Sequence, residues 1–432
     1  MNRRQALNAL ADWITFLFQA VPAKIRPTLL ELLLGCIVAR TGHISSALLV
    51  ILPMRTWTAY YKVIQKGVFS WLALSKQWML LLCKVLAPQE IVLAIDDTVV
   101  MRSSKKAPSA ALHHDHAKRA NRPRFIWGQL FVCAAMICKY RGRQGAFPLL
   151  MRMIPHRGNR SKINAATTLT KLVLRWIGLK IPVRLLLDAW YMKGPMVLKA
   201  LGEGIHVLGQ VRKDTALYLD PVKPAEPTPG RPRKYGLKLC FQQVVAFFDL
   251  RQAHIISYGQ KKHLFQYYCF DARVRFLEGR KCRLVWSRLQ KPKGKWSRWH
   301  LLLSTDTNLT GEQIIEHYAS RWLVESCFNE LKNLFGFKNT WQQTRQVAAR
   351  WRLIVSLAYS LPRLMALVFG PSLGNTLLPI PWRKKRPMTA GWMAKALSGI
   401  FRNYRVRAFW DRKQQKCCLP EELLESKLDK AA

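Results

Sequence analysis

Three acidic residues lie at positions where neighbouring elements of a fold could bring them together. Asp96 follows the short β-branched run Ile91–Ile95, and Asp188 follows the buried run Val183–Leu187. The third acid, Glu325, lies on a predicted helix. Carboxylates that converge repel one another unless cations lie between them, and oxygen-only sites suit Mg²⁺ or Mn²⁺. A pair of such ions would favour in-line displacement at phosphorus.

The helix that carries Glu325 has a polar row along one side. A capping box at Thr310 and Gln313 predicts its start, and the next twenty-odd residues contain no proline. At ~100° per residue, one stripe collects Tyr318, Arg321, Glu325 and Lys332. The opposite side is apolar and predicts a core seam of Leu323, Val324, Cys327, Leu331 and Leu334. Taken alone, the polar row also fits a solvated face with ion pairs four residues apart.

The charge balance favours an anionic partner. The 432 residues contain 24 acidic and 70 basic side chains, which gives a formal net charge of +46. Such a charge strains a compact fold unless a polyanion compensates it, and the phosphate backbone of nucleic acid is the obvious candidate. An anionic membrane surface is the alternative. In a chain this basic, the reacting phosphorus is most plausibly that of DNA.

The first acid has two candidates, because Asp96 and Asp97 are adjacent. Neighbouring side chains on a strand point to opposite faces, so only one of the two can face a shared site. We favour Asp96, in the pattern Asp96-x-Thr98, and expect Asp97 to form structural hydrogen bonds at the end of the strand.

The elements around these acids follow a mixed order. The spacing predicts strands at 91–95, 125–139 and 146–153, then a helix at 162–177, a strand at 183–187, a helix at about 192–201 and a strand at 205–211. A proline-rich basic stretch at 221–236 is typical of a linker. From Cys240 to Ser304 the pattern is β, and the chain is helical before residue 89 and again from Thr344 to Val368.

At this point the sequence resembles a known family. The order strand–Asp, strand–Asp, helix–Glu over a three-strand meander is similar to the RNase H-like core of the DDE transposases. Tyr318-x2-Arg321-x3-Glu325-x6-Lys332 resembles the Y-R-E-K signature of bacterial insertion-sequence transposases. The 137 positions from Asp188 to Glu325 leave room for an inserted β domain. The resemblance covers about residues 90–340.

The resemblance implies an α/β fold with an RNase H-like core and a β-rich insertion, flanked by helical N- and C-terminal domains. Five segments are expected: a helical DNA-binding domain at 1–88, the first part of the catalytic core at 89–214, the linker and insertion at 215–298, the second part of the core with the Glu helix at 299–345, and a helical C-terminal domain with a basic tail at 346–432.

The resemblance also implies a role for each site residue. Asp96, Asp188 and Glu325 would be catalytic and would hold Mg²⁺ or Mn²⁺, with two ions expected. Tyr318, Arg321 and Lys332 would bind phosphates of double-stranded DNA at the ends of a mobile element. The expected enzyme cuts those ends and joins them to target DNA, as a homodimer in a bacterial cytoplasm. Two alternatives remain open: a non-catalytic DNA-binding protein derived from such an enzyme, and a nuclease that cuts without joining.

Several weaker sequence motifs have both a structural and a functional interpretation. The histidine cluster at 113–116 favours a loop over a metal site, and Gly230-Arg231-Pro232-Arg233 favours a basic linker over a minor-groove hook. Basic residues at 383–386 fit contact with a DNA backbone. Trp190, Tyr191 and Trp322 could stack on a flipped base, although packing is favoured for Trp322.

The cysteines and the apolar runs fit a cytoplasmic protein. None of the ten cysteines forms a C-x-x-C pair, and we expect reduced thiols. The N-terminus favours an amphipathic helix over a signal peptide. The longest apolar run, Leu353–Gly370, contains Pro362-Arg363 and favours buried helices over a membrane span.

Overall fold

The structure is a computed structural model that describes residues 3–114, 123–154, 159–178, 181–222, 230, 233–257, 261–340, 342–377 and 388–425. The basic residues Arg383–Arg386 lie outside this part of the chain, as do Asp115 and His116 of the histidine cluster and Arg231-Pro232 of the linker motif.

The described residues form a mixed α/β fold. The strands are β1 Ile91–Met101, β2 Ala111–His114, β3 Phe125–Tyr140, β4 Arg143–Met153, β5 Val183–Leu187, β6 His206–Val211, β7 Leu217–Tyr218, β8 Lys238–Leu239, β9 Arg251–Ile256, β10 Lys262–Val274, β11 Arg280–Leu289, β12 His300–Ser304, β13 Trp410–Asp411 and β14 Lys416–Cys417. The helices are α1 Arg3–Phe18, α2 Arg26–Ala39, α3 Ile44–Leu49, α4 Trp57–Lys66, α5 Trp71–Leu86, α6 Asn159–Ile177, α7 Gly194–Gly202, α8 Phe241–Phe247, α9 Gly311–Ser320, α10 Trp322–Leu334, α11 Arg345–Leu377, α12 Ala390–Phe401 and α13 Glu421–Leu424.

The first part of the sheet has the spatial order β4-β3-β1-β5-β6. β1, β3 and β4 are antiparallel, whereas β5 and β6 run parallel to β1. The hairpin between β3 and β4 turns through Arg141 and Gly142, which both have positive φ, as a two-residue hairpin turn requires. α6 and α7 provide the crossovers to the parallel strands, since parallel neighbours need such a connection. This arrangement is consistent with the expected RNase H-like core.

The first strand is longer than the sequence pattern predicted. We expected it to end at Ile95, but β1 continues to Met101 because it pairs with β3 along the whole stretch, from Val92 opposite Ile137 to Met101 opposite Gly128. Asp96 therefore lies inside a strand rather than at its end. β2 also includes His113 and His114 of the histidine cluster, for which a loop was favoured.

The same sheet continues into the region predicted to be an insertion. β12 pairs with β6 on one side and β11 on the other, and β10 follows, with β7 and β9 along its outer edge. α8 lies in a stretch that we predicted to be β throughout. The domain boundaries given above stay a prediction, since one sheet spans both the core and the insertion.

The predicted single helix from Thr310 is two helices. The capping box is present: Thr310 Oγ1 accepts a hydrogen bond from the Gln313 amide at 3.3 Å, and the Thr310 amide donates to Gln313 Oε1 at 2.8 Å. The helix is interrupted at Arg321, whose amide donates a hydrogen bond to the carbonyl of Tyr318 in a tighter turn. α9 and α10 are therefore separate helices. The predicted core face of α10 is buried at Val324, whereas Leu334 is 42% exposed.

The N- and C-terminal helices pack together. α11 contacts α1, α2, α4, α5 and α12. Its stretch Arg345–Gly370 is long and apolar enough to cross a membrane, since an 18-residue window within it has a mean hydropathy of 1.7. However, 89% of that window is buried inside the protein. The helix runs through Pro362, in agreement with the helical stretch predicted from Thr344 to Val368, and is interrupted at Gly370, where φ is 69°. α4 and α5 pass the same test only if joined across a 90° bend.

A buried ion pair joins the two ends of the chain. Arg407 Nη1 donates to Glu31 Oε2 at 2.8 Å, and Glu31 is 0% exposed. The other carboxylate oxygen accepts from the Tyr60 hydroxyl at 2.9 Å and from the Met54 amide at 3.0 Å. Each acceptor of this buried acid is therefore occupied.

Arg407→Met should lower the free energy of unfolding by about 3–5 kcal/mol, because it leaves the buried Glu31 charge without a cation. Urea denaturation followed by tryptophan fluorescence measures the change. The matched control is Arg407→Met combined with Glu31→Gln, which removes the unpaired charge and should recover part of the loss. A single variant as stable as the parent would show that this pair does not hold the termini together.

Candidate active site

The parallel register of β1 and β5 brings two of the three predicted acids together. Ile95 pairs with Leu187, so the residues that follow, Asp96 and Asp188, are neighbours on adjacent strands. One oxygen of Asp188, Oδ1, accepts hydrogen bonds from the amides of Trp190 at 3.0 Å and Tyr191 at 2.9 Å. The loop after β5 thereby fixes this carboxylate beside that of Asp96.

Arg321 links the first acid to the third. Its Nη1 donates to Asp96 Oδ2 at 3.0 Å, and its Nη2 donates to Glu325 Oε1 at 2.7 Å. Arg321 lies at the junction of α9 and α10, is 9% exposed, and has a buried Nε without a hydrogen-bond partner. One guanidinium therefore ties a central strand to the helix that carries Glu325.

The electrostatics of this site reflect burial and like charge. Burial raises the pKa of Asp96 to about 7; Arg321 opposes the shift, and Asp188 and Asp97 add to it. Burial also raises the pKa of Asp188, against the Tyr191 amide and Arg321. Burial alone would lower the pKa of Arg321, but Tyr318, Asp96 and Glu325 together hold it above its usual value. The buried carboxylates are thus incompletely compensated by positive charge.

The donor set suits a divalent cation, but the three acids do not surround a common point. Among the described residues, no group of three or more His, Cys, Asp and Glu side chains is arranged to hold a metal ion. Arg321 pairs with one oxygen of Asp96 and with one oxygen of Glu325. Asp96 and Asp188 offer neighbouring carboxylates short of positive charge, so the chemistry of these residues fits Mg²⁺ or Mn²⁺.

Asp97 has different partners from Asp96. Lys162 Nζ lies 2.9 Å from Asp97 Oδ2, and the Tyr191 hydroxyl donates to Asp97 Oδ1 at 3.0 Å. Lys162 comes from α6 and also lies 4.4 Å from the centroid of the Trp190 ring. Asp97 thus anchors α6 and the loop after β5 to β1. The choice of Asp96 as the candidate catalytic acid stays a prediction, and this geometry favours it.

The other two members of the polar row, Tyr318 and Lys332, have different surroundings. The Tyr318 hydroxyl donates to Gln210 Oε1 on β6 at 3.0 Å. Lys332 is partly buried, seven positions beyond Glu325 on α10. After α10, the backbone of Gly336, with φ 69°, lies so close to Gly42 that a Cβ on Gly336 would overlap it. The end of α10 therefore packs against the N-terminal region. Although the helix is interrupted at Arg321, the guanidinium of this residue contacts both Glu325 and the Tyr318 ring, whose centroid is 5.6 Å away.

The aromatic residues considered for base stacking differ in exposure. Tyr191 is fully buried and bonds to Asp97, so it is structural. Trp322, for which packing was favoured, is 48% exposed, so that expectation was wrong. Trp322 borders a cleft of about 240 Å³ that Tyr318, Arg321, Gln210 and Arg288 also line.

Sequence reasoning missed Lys162, Gln210 and the bridging role of Arg321. Lys162 lies on a predicted helix and Gln210 on a predicted strand, but nothing in their local pattern marks them. The spacing of Arg321 and Glu325 did indicate an ion pair four residues apart. The contact of Arg321 with Asp96 depends on a strand 225 residues away in sequence.

The raised pKa of Asp96 predicts a pH dependence of stability. The folded protein holds this proton more tightly than the unfolded chain, so the contribution of Asp96 stabilises the fold at low pH. It is lost as the pH rises from about 4 to about 7, at up to ~1.4 kcal/mol per pH unit. In chelator-treated protein, the free energy of unfolding of wild type minus that of Asp96→Asn should fall across this range. A flat or rising difference would contradict the assignment.

Comparison with known proteins identifies the family of this chain. The sequence model of the DDE superfamily endonucleases matches residues 17–253, which include Asp96 and Asp188 but not Glu325. No curated protein matches the sequence. A piggyBac transposase, solved as a synaptic complex with hairpin DNA, is similar at 12% identity and a TM-score of 0.36, over 85% of this chain and 62% of that one. The chain thus spans less than two thirds of that transposase. Since the family model covers more than half of its length, this protein belongs to the DDE superfamily endonucleases.

Proposed function

We propose that this endonuclease is a DNA transposase of the insertion-sequence type, which cuts the ends of its element and joins them to target DNA. The observation that carries the proposal is the Arg321 bridge, which brings Glu325 of α10 to Asp96 of β1, beside Asp188. The family match includes the first two acids. The third acid occurs in the spacing Tyr318-x2-Arg321-x3-Glu325-x6-Lys332, which resembles the Y-R-E-K signature.

The proposed chemistry has two steps at one site. In the first, the oxygen of a water molecule attacks the phosphorus at the element end, the P–O3′ bond breaks, and a free 3′-hydroxyl and a 5′-phosphate result. In the second, that 3′-oxygen attacks a phosphorus of the target DNA and displaces its 3′-oxygen. The number of phosphodiester bonds is unchanged in the second step, so no ATP is needed.

The residues of the chain hold the charges for both steps. Asp96, Asp188 and Glu325 would hold Mg²⁺ or Mn²⁺, which would supply the positive charge that stabilises the transition state at phosphorus. Lys332 and Arg321 would neutralise phosphate oxygens, and the Tyr318 hydroxyl would donate a hydrogen bond to one. Fixed positions matter here, because in-line attack tolerates little displacement of the scissile phosphate.

Double-stranded DNA is the proposed partner. A chain of +46 requires a polyanion to offset its self-repulsion, and contacts with phosphates would release counterions from the duplex. We further propose that two copies act together, one at each end of the element, in a bacterial cytoplasm. A nuclease of the same fold that cuts without joining is the alternative, and the products of the reaction distinguish the two.

Asp188→Asn and Glu325→Gln should each reduce DNA cleavage by at least ~10³-fold, because an amide lacks the charge that holds the cation. Both variants should still bind the duplex, since losing a negative charge does not weaken attraction to phosphate. The substrate is linear DNA that carries the sequences flanking the reading frame, incubated with Mg²⁺ and a target plasmid. Gel analysis separates nicked, cut and joined products.

The matched control for this experiment is Glu316→Gln. Glu316 lies on α9 and is paired with Lys139 at 3.2 Å, and it makes neither of the two hydrogen bonds of the bridge. This variant should cut and join like the parent. Cleavage by Glu325→Gln at the rate of Glu316→Gln would overturn the proposed function, and cutting without joined products in the parent would favour the nuclease alternative.

A further inference from the structure

The Arg321 bridge occupies oxygens that a cation would need. Asp96 Oδ2 and Glu325 Oε1 each accept a charge-assisted hydrogen bond from this guanidinium, at 3.0 Å and 2.7 Å. Arg321 is almost fully buried, so solvent screens its charge little. A divalent cation at the same two oxygens would face a positive charge at close range, and the two arrangements exclude each other.

Arg321 has an alternative position. It lies at the break between α9 and α10, where its backbone follows a tight turn instead of an uninterrupted helix. It borders the cleft of about 240 Å³ beside Tyr318 and Trp322. Its buried Nε has no hydrogen-bond partner in the bridged arrangement, so an anion in the cleft could satisfy a donor that the carboxylates leave unsatisfied.

We propose that Arg321 is an internal counter-cation that closes the site in the absence of DNA, and that a DNA phosphate draws it off Asp96 and Glu325 and so opens these carboxylates to the divalent ion. The inference rests on the proposed function and adds an order of events to it. Metal and DNA then bind cooperatively, because each favours the arrangement in which the bridge is broken. Such coupling is reciprocal and typically changes an affinity by about 5–150-fold.

The bridge would also limit cleavage of DNA that is not docked in the site. A nuclease that assembled its metal site without substrate could cut any DNA that it met. With the bridge in place, the guanidinium takes up one oxygen of Asp96 and one of Glu325, and the site is complete only where a phosphate is docked against Arg321.

The test is a titration of Mn²⁺ monitored by the electron paramagnetic resonance signal of the free ion, with and without DNA. The duplex is a pre-cut element end with dideoxy 3′ termini, so neither cleavage nor joining can occur. Wild type should bind Mn²⁺ at least ~5-fold more tightly when this duplex is present. Arg321→Ala should bind Mn²⁺ about as tightly without DNA as wild type does with it, and should gain less than twofold on adding DNA.

Two further variants keep the test decisive. Arg321→Gln retains most of the side-chain volume without the charge and should behave like Arg321→Ala; circular dichroism checks that both are folded. Lys162→Met is the matched control, because it removes a cation from the neighbouring Asp97 without touching the bridge. It should bind Mn²⁺ within twofold of wild type and keep the gain from DNA.

The outcomes separate this inference from the proposed function. Equal Mn²⁺ affinity in wild type, Arg321→Ala and Arg321→Gln would overturn the inference while leaving the metal site in place. A similar gain in affinity for Lys162→Met would also overturn it, since any lost cation would then have the same effect. The absence of saturable Mn²⁺ binding in every protein, with or without DNA, would overturn the proposed function itself.

Discussion

The contact of one arginine with two carboxylates organises the site of this protein. Asp96 lies on β1, inside the sheet, and Glu325 lies on α10, which follows β12 and α9. The Arg321 guanidinium bonds to both carboxylates. Burial makes this interaction strong and also makes it costly to leave unpaired. The interruption between α9 and α10, the position of Tyr318 and the approach of α10 to β1 are all compatible with this bridge. The coupling that we infer between metal and DNA depends on breaking it.

The sheet provides the second constraint. Because β5 is parallel to β1 and Ile95 pairs with Leu187, the strand pairing itself makes Asp96 and Asp188 neighbours. Asp97 contributes from the other face of β1, where Lys162 and Tyr191 hold α6 and the loop after β5 in place. Two adjacent aspartates thus have separate tasks, one towards the candidate site and one towards the scaffold, as the alternation of side chains along a strand requires.

The sequence predicted correctly those elements near the site that are determined by residues close together in the chain. The Thr310–Gln313 capping box, the helix predicted at 162–177 and the strand before Asp188 all follow from nearby residues. The continuation of β1 to Met101 did not, because pairing with β3 overrides the polar residues Asp96-Asp97. The interruption at Arg321 and the exposure of Trp322 were missed because helical periodicity does not show which distant elements pack against a helix. The Arg321 guanidinium, for example, bonds to Asp96, 225 positions away in sequence.

The most direct test of the metal site is cleavage of the protein by its own bound ion. Fe²⁺ in place of Mg²⁺, with ascorbate and peroxide, produces hydroxyl radicals that cut the backbone near the ion, and mass spectrometry locates the new termini. With element-end DNA bound, the account predicts cuts close to residues 96, 188 and 325, and their loss in Asp188→Asn. Cuts confined to other segments, such as the histidines near residue 113, would contradict the claim that these three carboxylates form the site.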